Sequence, residues 1–127
     1  MHASAATPEE TIRSFSSLLA QGDLDALVAL YEPEAAFVPQ PGTVVTGQAA
    51  IRESLRSFLA MRPRMSGEVA RVLLAGDTAL VANRWTLTGR APDGQPVEMG
   101  GVSADVLRRR ADGTWGIAVD DPWGGAA

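Results

Sequence analysis

Residues 78–121 read TALVANRWTLTGRAPDGQPVEMGGVSADVLRRRADGTWGIAVDD. The period is two. Val81, Trp85 and Leu87 alternate with Leu80, Ala82, Arg84 and Thr86. Val102, Ala104 and Val106 alternate with Ser103, Asp105 and Leu107, and Trp115, Ile117, Val119 and Asp121 with Gly116, Ala118 and Asp120. Successive side chains of a strand point to opposite faces, so this pattern predicts strands. Gly76-Asp77, Pro92-Asp93-Gly94 and Asp112-Gly113 mark turns between them. Four strands are expected, at about 67–75, 78–89, 96–110 and 114–121.

Upstream the period becomes helical. Thr7 can cap a helix, Pro8 suits its first position, and Glu10 completes a capping box. Ile12, Phe15, Leu18 and Leu19 form its apolar stripe, and Gly22 ends it. Asp23 caps a short second helix carrying Leu24, Leu27, Val28 and Tyr31, which Pro33 stops. A short strand at Ala35–Pro39 and an extended piece at Thr43–Val45 follow. Gly47 opens a third helix, with Ile51, Leu55, Phe58 and Leu59 on one face and an end near Pro63. Helices first and an antiparallel meander afterwards give a single α+β two-layer domain over 1–127, with residues 1–6 as a flexible N-terminus.

Both faces of the sheet carry apolar residues, so both need cover. Strict alternation puts Val81, Trp85, Val106, Trp115 and Ile117 on an outer face suited to a homodimer interface. It puts Leu80, Arg84, Ser103, Asp105, Leu107 and Asp120 on the inner one. An inverted assignment would instead turn Trp85 and Trp115 toward a ligand. A hairpin closed by Asp112-Gly113 places Asp105 opposite Asp120, and a turn at Pro92–Gly94 places Arg84 near Ser103 and diagonal to Asp105. An Arg84–Asp105–Asp120 cluster is therefore expected, and a one-residue slip would send a member to the other face. Asp121-Pro122-Trp123-Gly124 would close a pocket mouth or dock the tail, and Arg108–Arg110 reads as a solvated hairpin end.

Composition narrows the chemistry. The 127 residues include no cysteine, no lysine and one histidine, His2, and arginine supplies all 11 basic side chains against 15 acidic ones. Thiol nucleophiles, disulfides, cysteine-held metals, Schiff bases and P-loop lysines are excluded. A lone histidine in a frayed terminus argues against histidine catalysis and histidine-ligated metal. No metal and no cofactor are expected. A net charge of −4 argues against nucleic-acid and anionic-membrane partners. No apolar run is long enough to span a bilayer, and MHASAATPEE lacks the basic and apolar regions of a signal peptide, so a cytoplasmic location is expected.

The segments QGDLDALVALYEPEAAFV, VVTGQAAIRESL, GVSADVLRRRADGTW and DDPWG resemble the SnoaL-like and ketosteroid-isomerase-like proteins of the nuclear-transport-factor-2-like superfamily. The ending DGTW followed by DxPWG is most similar to the small SgcJ/EcaC-type branch. The resemblance spans about Pro8 to Gly124. It implies a cone-shaped fold: three N-terminal helices packed on a strongly curved antiparallel sheet enclosing an apolar pocket, commonly in a homodimer. Carried over by residue, the isomerases' oxyanion tyrosine falls at Phe15 and their general base at Gln40. Their protonated aspartic acid falls at Asp105, and a pocket tyrosine at Tyr31. The base and main oxyanion donor are thus missing, which disfavours steroid-type isomerisation. The same alignment puts Leu80, Ala82, Arg84, Ser103, Leu107, Ala118 and Asp120 on the pocket wall, with Phe15 and Leu55 as core and wall together.

The expected function is a cofactor-independent small-molecule enzyme of isomerase, cyclase, dehydratase or epoxide-hydrolase type. Asp105 and Asp120 would move protons on an apolar oxygenated substrate, and Arg84 would set their ionisation. Tyr31, Phe15, Gln40, Leu55, Leu80, Ser103 and Leu107 would contact the ligand. The alternatives are a non-catalytic dimeric module that binds a hydrophobic small molecule and, more weakly, an assembly domain. A structural salt bridge between Arg84 and the two carboxyls is the bland reading of the cluster.

Overall fold

The computed structural model describes residues 6–125. Residues 1–5, His2 among them, and 126–127 lie outside the described residues. The first helix, α1, spans Pro8–Gln21. Thr7 caps it, its hydroxyl accepting from the Glu10 amide at 3.2 Å. The Glu10 carboxylate reaches back to the amide of Ala6, at 3.3 Å, rather than to that of the cap itself. Gly22 ends the helix with φ 71°, a left-handed conformation that glycine adopts without Cβ strain. Thr7→Ala should lower the stability of the domain by about 1 kcal/mol in denaturant unfolding; no change would show that the helix end is held by packing alone.

Asp23 caps α2, Leu24–Ala29, accepting from the Ala26 amide at 3.1 Å. The helix stops before Tyr31, which opens strand β1, Tyr31–Gln40. Tyr31 is therefore a strand residue, and Pro33 sits inside the strand rather than ending the helix. The reason is competition for backbone partners: the Ile117 amide takes the Leu30 carbonyl at 2.8 Å, and Arg110 Nη2 donates to the Ala29 carbonyl at 3.0 Å. Strand β2 spans Thr43–Thr46, and α3 spans Gln48–Leu59. The long strands are β3 Arg64–Ala75 and β4 Thr78–Arg90. They are followed by β5 Pro96–Val102, β6 Ala104–Arg109 and β7 Trp115–Asp121.

These strands form one curved sheet in the order β2-β1-β7-β6-β4-β3, with β5 also on β4. β1 and β7 run parallel, so the sheet is mixed where alternation alone suggested a purely antiparallel one. The helices cover its inner face: α1 lies on β3, β4 and β7, while α3 lies on β1 and β2. Leu18, Leu19, Leu27, Ile51 and Leu55 meet Val81, Leu107 and Ile117 in a common buried core. Each fully buried aliphatic side chain contributes about 1.5–3 kcal/mol. Thr11 ties helix to sheet, its hydroxyl donating to the Trp115 carbonyl at 2.9 Å.

Two details of register decide which residues face the core. Asp105 stands opposite Asp120, as the Asp112-Gly113 turn predicts. The β6–β7 register then shifts: Val106 pairs with Val119, but Leu107 pairs with Ile117. Ala118 is the extra residue of this bulge, and it breaks the alternation along β7. Trp115, Ile117 and Asp120 consequently share the inner face. On β4, Arg90 pairs with Pro96 and Arg84 with Val102, while Val81 pairs with Asp105. The odd-numbered residues of β4 therefore face inward.

These registers correct the expected outer face. Val81 is 0% exposed, Trp85 5%, Trp115 7% and Ile117 2%. A dimer face drawn through them would be drawn through the core; only Val106 of that set lies on the outer side. Leu80, expected on the pocket wall, is 46% exposed on the outer face, paired with Leu73 of β3.

Candidate active site

The inner face of β4–β7, the helices and the turn after β7 line a partly open cavity of about 70 Å³. Ile12, Phe15 and Leu19 of α1, Leu55 and Phe58 of α3, and Phe37 and Pro39 of β1 line it. Met65, Trp85, Leu87, Met99, Ile117, Pro122 and Trp123 complete the apolar wall. Its polar residues are Asn83, Ser103, Asp105 and Asp120, brought together by β4, the junction between β5 and β6, β6 and β7. Trp123 closes one side, its ring edge-on to Trp85 at 5.2 Å, and its indole N–H donates to the Val38 carbonyl at 3.2 Å. The Trp85 indole N–H donates to the Pro122 carbonyl at 2.7 Å. The DPWG segment thus builds wall and holds the tail at once.

Hydrogen-bond direction orders the polar wall. The Asn83 amide can only donate, and it donates to Ser103 Oγ at 3.0 Å. The Ser103 hydroxyl proton therefore goes to Asp105 Oδ2, at 2.6 Å. Tyr31 Oη donates to Asp120 Oδ2 at 2.5 Å. Asp105 is 4% exposed, and its Oδ1 has no donor. Two facing carboxylates would leave that oxygen orphaned beside a like charge, at high cost. A proton on Asp105 Oδ1, donated to Asp120, removes both problems.

The ionisation of each group follows from these surroundings. Burial pushes the Asp105 carboxyl well above the usual carboxylate range; the Asp120 charge adds to the shift, and the Ser103 hydroxyl opposes it. Burial also raises Asp120, against the hydrogen bonds from Tyr31 and Asp105. Burial, then the Asp120 charge, raises the Tyr31 phenol, so Tyr31 stays a donor. The two acids titrate as one pair. It holds one proton, mainly on Asp105, with the negative charge on Asp120. This wall can offer a proton and accept one within the same cavity. Among the described residues no group of three or more His, Asp or Glu could hold a metal ion.

Residues 12–115 match the SnoaL-like domain. The chain belongs to the SnoaL-like family. Solved structures share its fold. A protein from Xanthomonas campestris, provisionally named a calcium/calmodulin-dependent protein kinase II association domain, is 24% identical, with 95% of this chain and 94% of that one covered and a TM-score of 0.75. One from Novosphingobium aromaticivorans, provisionally named a scytalone dehydratase, is 16% identical over 88% and 77%, at TM-score 0.78. A ketosteroid isomerase-like protein from Erwinia carotovora atroseptica is 20% identical over 88% of each chain, at 0.75. Other neighbours carry the name of the nuclear-transport-factor-2-like superfamily. These likenesses show the fold. No curated protein matches the sequence.

Within this SnoaL-like cone, Phe15, Leu55, Ser103, Asp105 and Asp120 line the cavity as expected from sequence. Leu107 is on the inner face but wholly buried in the core. Tyr31 stands behind Asp120 and reaches the cavity only through that carboxyl. Gln40 is exposed at the end of β1, its amide on Thr43 Oγ1 at 3.5 Å, and the neighbouring Pro39 lines the wall instead. Arg84 is exposed on the outer face, opposite Glu68 of β3. It therefore neither bridges the two acids nor sets their ionisation. Arg110, expected in solvent, instead ties β1 through Glu32, at 3.0 Å. Asn83 and Trp85 are wall residues that alternation from the expected register missed, Met99 joins them, and Trp123 stands at the wall, as one of the two readings of the DPWG segment has it.

The raised carboxyl pair has a consequence for stability. Between the ordinary carboxylate range and the pair's own range, the folded chain binds more protons than the unfolded one. Stability must then fall as pH rises through that window. Asp105→Asn removes the shared proton. The melting temperature of wild type minus that of Asp105→Asn should therefore decrease from about pH 4 upward. A difference independent of pH in thermal melts would show that the pair is not proton-bound in the fold.

Proposed function

We propose that this SnoaL-like chain is a cofactor-independent acid–base enzyme acting on a small, apolar, oxygen-bearing molecule. The observation that carries the reading is the Asp105–Asp120 pair, the first buried and the second partly so, facing a largely apolar cavity. Asp105 serves as the acid, because it holds the proton on the oxygen that no protein donor satisfies. Asp120 serves as the base, its charge steadied by the Tyr31 hydroxyl. Ser103 aims the acid by occupying its other oxygen. Opposed environments for two neighbouring carboxyls are how acid and base roles separate in one site. The names dehydratase and ketosteroid isomerase-like, given to structural neighbours, are in keeping with such chemistry. The DGTW and DPWG segments support an SgcJ/EcaC-type placement within the family.

Size favours keeping one second reading. A cavity of about 70 Å³ is roughly half of a 150 Å³ cavity known to admit benzene. A site this small suits a binding module for a compact ligand as well as an enzyme. The test is a panel of small neutral epoxides, secondary alcohols and enones, followed by mass spectrometry. Turnover of one class, lost in both Asp105→Asn and Asp120→Asn, supports the enzyme. Ligand binding without turnover across the panel overturns it in favour of the binding module.

A further inference from the structure

We infer that the cavity is built to stabilise positive charge on what it holds, so that it takes compact apolar amines as ligands and breaks C–O bonds by ionisation rather than forming enolates. The inference rests on the acid–base reading of Asp105 and Asp120 and names the class of chemistry that pair serves.

Three observations converge. First, no arginine of the described residues lines the cavity, and the charges acting on Asp105 and Asp120 come from other acids, Asp120 and Asp121. A buried site with net negative charge and no cation favours a positive partner and repels an anion. Second, the donors an enolate would need are already committed. The indole N–H groups of Trp85 and Trp123 go to backbone carbonyls. The hydroxyls of Ser103 and Tyr31 go to Asp105 and Asp120. Stabilising an oxyanion takes free donors aimed at the developing charge; the Asn83 backbone N–H goes to Ser103 Oγ and the Asp105 proton to Asp120, so the Asn83 side-chain amide is what remains on the polar wall. Third, Asp120, the member that carries the charge, lines the cavity with part of its surface exposed and has Tyr31 Oη as its donor. An ammonium N–H or a protonated substrate oxygen finds an anionic acceptor there. The rings of Phe15, Phe37, Phe58, Trp85 and Trp123 around the rest of the wall present aromatic surface, whose faces attract cations.

The reaction this implies balances without a co-reactant beyond water. Asp105 Oδ1 gives its proton to a hydroxyl or epoxide oxygen as the C–O bond breaks, the bonding electron pair leaving with oxygen. The carbon left behind carries the positive charge, opposite the Asp120 carboxylate. Asp120 then takes a proton from the neighbouring carbon, giving an alkene and water from an alcohol. With an epoxide it takes the proton from an attacking water instead, giving a diol. The proton returns from Asp120 to Asp105 through their shared hydrogen bond. An ammonium ion resembles the cationic intermediate, which is why amines should bind.

The test is calorimetric titration of the full chain at pH 8 with three isosteric probes: cyclopentylamine, cyclopentanol and cyclopentanecarboxylate. The amine is expected to bind at least about tenfold more tightly than the alcohol, and the carboxylate not at all. In Asp120→Asn the amine should lose about tenfold while the alcohol changes less than about threefold. Circular dichroism checks the fold, and the three-probe comparison on the wild-type chain decides if Asp120→Asn does not fold. Equal binding of amine and alcohol to wild type, or carboxylate binding, overturns the inference. So does amine affinity unchanged in a folded variant. Absent amine preference with panel turnover still dependent on both acids overturns the charge assignment alone. Amine preference without any panel turnover overturns the acid–base reading instead.

Discussion

Asp120→Asn should lower turnover of the responsive panel substrate about 10²–10⁴-fold, the usual worth of a positioned proton-transfer group. The amide keeps the size of the carboxyl and can still accept from Tyr31 Oη, which now bonds Asp120 at 2.5 Å. What it loses is the ability to take a proton. Asp105→Asn should cost a similar factor for a different reason. Its amide can still donate toward Asp120 and accept from Ser103, but it has no transferable proton. The two losses should not add in the double variant, because the carboxyls act as one unit. Arg84→Ala is the discriminating control. Its side chain lies on the outer face opposite Glu68, so turnover should stay within about twofold of wild type, as for other surface changes. A large loss in Arg84→Ala with wild-type behaviour in Asp120→Asn would sink the assignment of the pair. Initial rates at saturating substrate decide it.

Trp85→Ala should destabilise the domain by about 3–5 kcal/mol, the range for removing a large buried aromatic. The indole is 5% exposed and packs edge-on against Trp123. It also holds the Pro122 carbonyl at 2.7 Å. Removing it leaves a void beside the existing cavity and frees the last turn of the chain. Urea unfolding gives the magnitude, and the near-ultraviolet dichroism of Trp123 reports whether that ring loses its fixed setting. A cost below about 1 kcal/mol would mean that the indole is not part of the packed core. Had Trp85 been an outer-face residue of a single chain, its truncation would be nearly free.

Local signals in the sequence were reliable where one residue type has one use. Thr7, Pro8, Gly22 and Asp23 mark the helix ends observed. Asp105 does stand opposite Asp120, but through the Ala118 bulge: next to the turn Arg109 pairs with Trp115, one residue off the register a two-residue Asp112-Gly113 turn implies, and those two acids are the centre of the candidate site. Facing was the part not legible. Between the paired Arg90 and Pro96, the turn holds Ala91–Gln95 and is closed by Ala91 N–H on the Gln95 carbonyl at 2.9 Å. Pro92, Asp93 and Gly94 announce a turn but not the parity of its length. That parity decides whether Arg84 or Asn83 looks inward. Apolar content did not settle it either, because Leu80 and Val81 are equally good strand residues on opposite faces. Tyr31 reads as helical from sequence because its spacing from Leu27 fits a helix, while the pull of β7 on the Leu30 carbonyl is a long-range contact invisible to periodicity.

The bulge at Ala118 carries a lesson for comparing this chain with others. Because Ala118 is left over between Val119 and Ile117, the inward acid falls three positions after Ile117 rather than two. A relative with a regular last strand would carry the equivalent acid one column earlier. A gap-free alignment would then set that acid against Val119 and score it as lost in one of the two chains. A gap opened at Ala118 would align the acids. Catalogues of relatives that keep or lack the pair would be sorted correctly only when that single-residue indel is recognised.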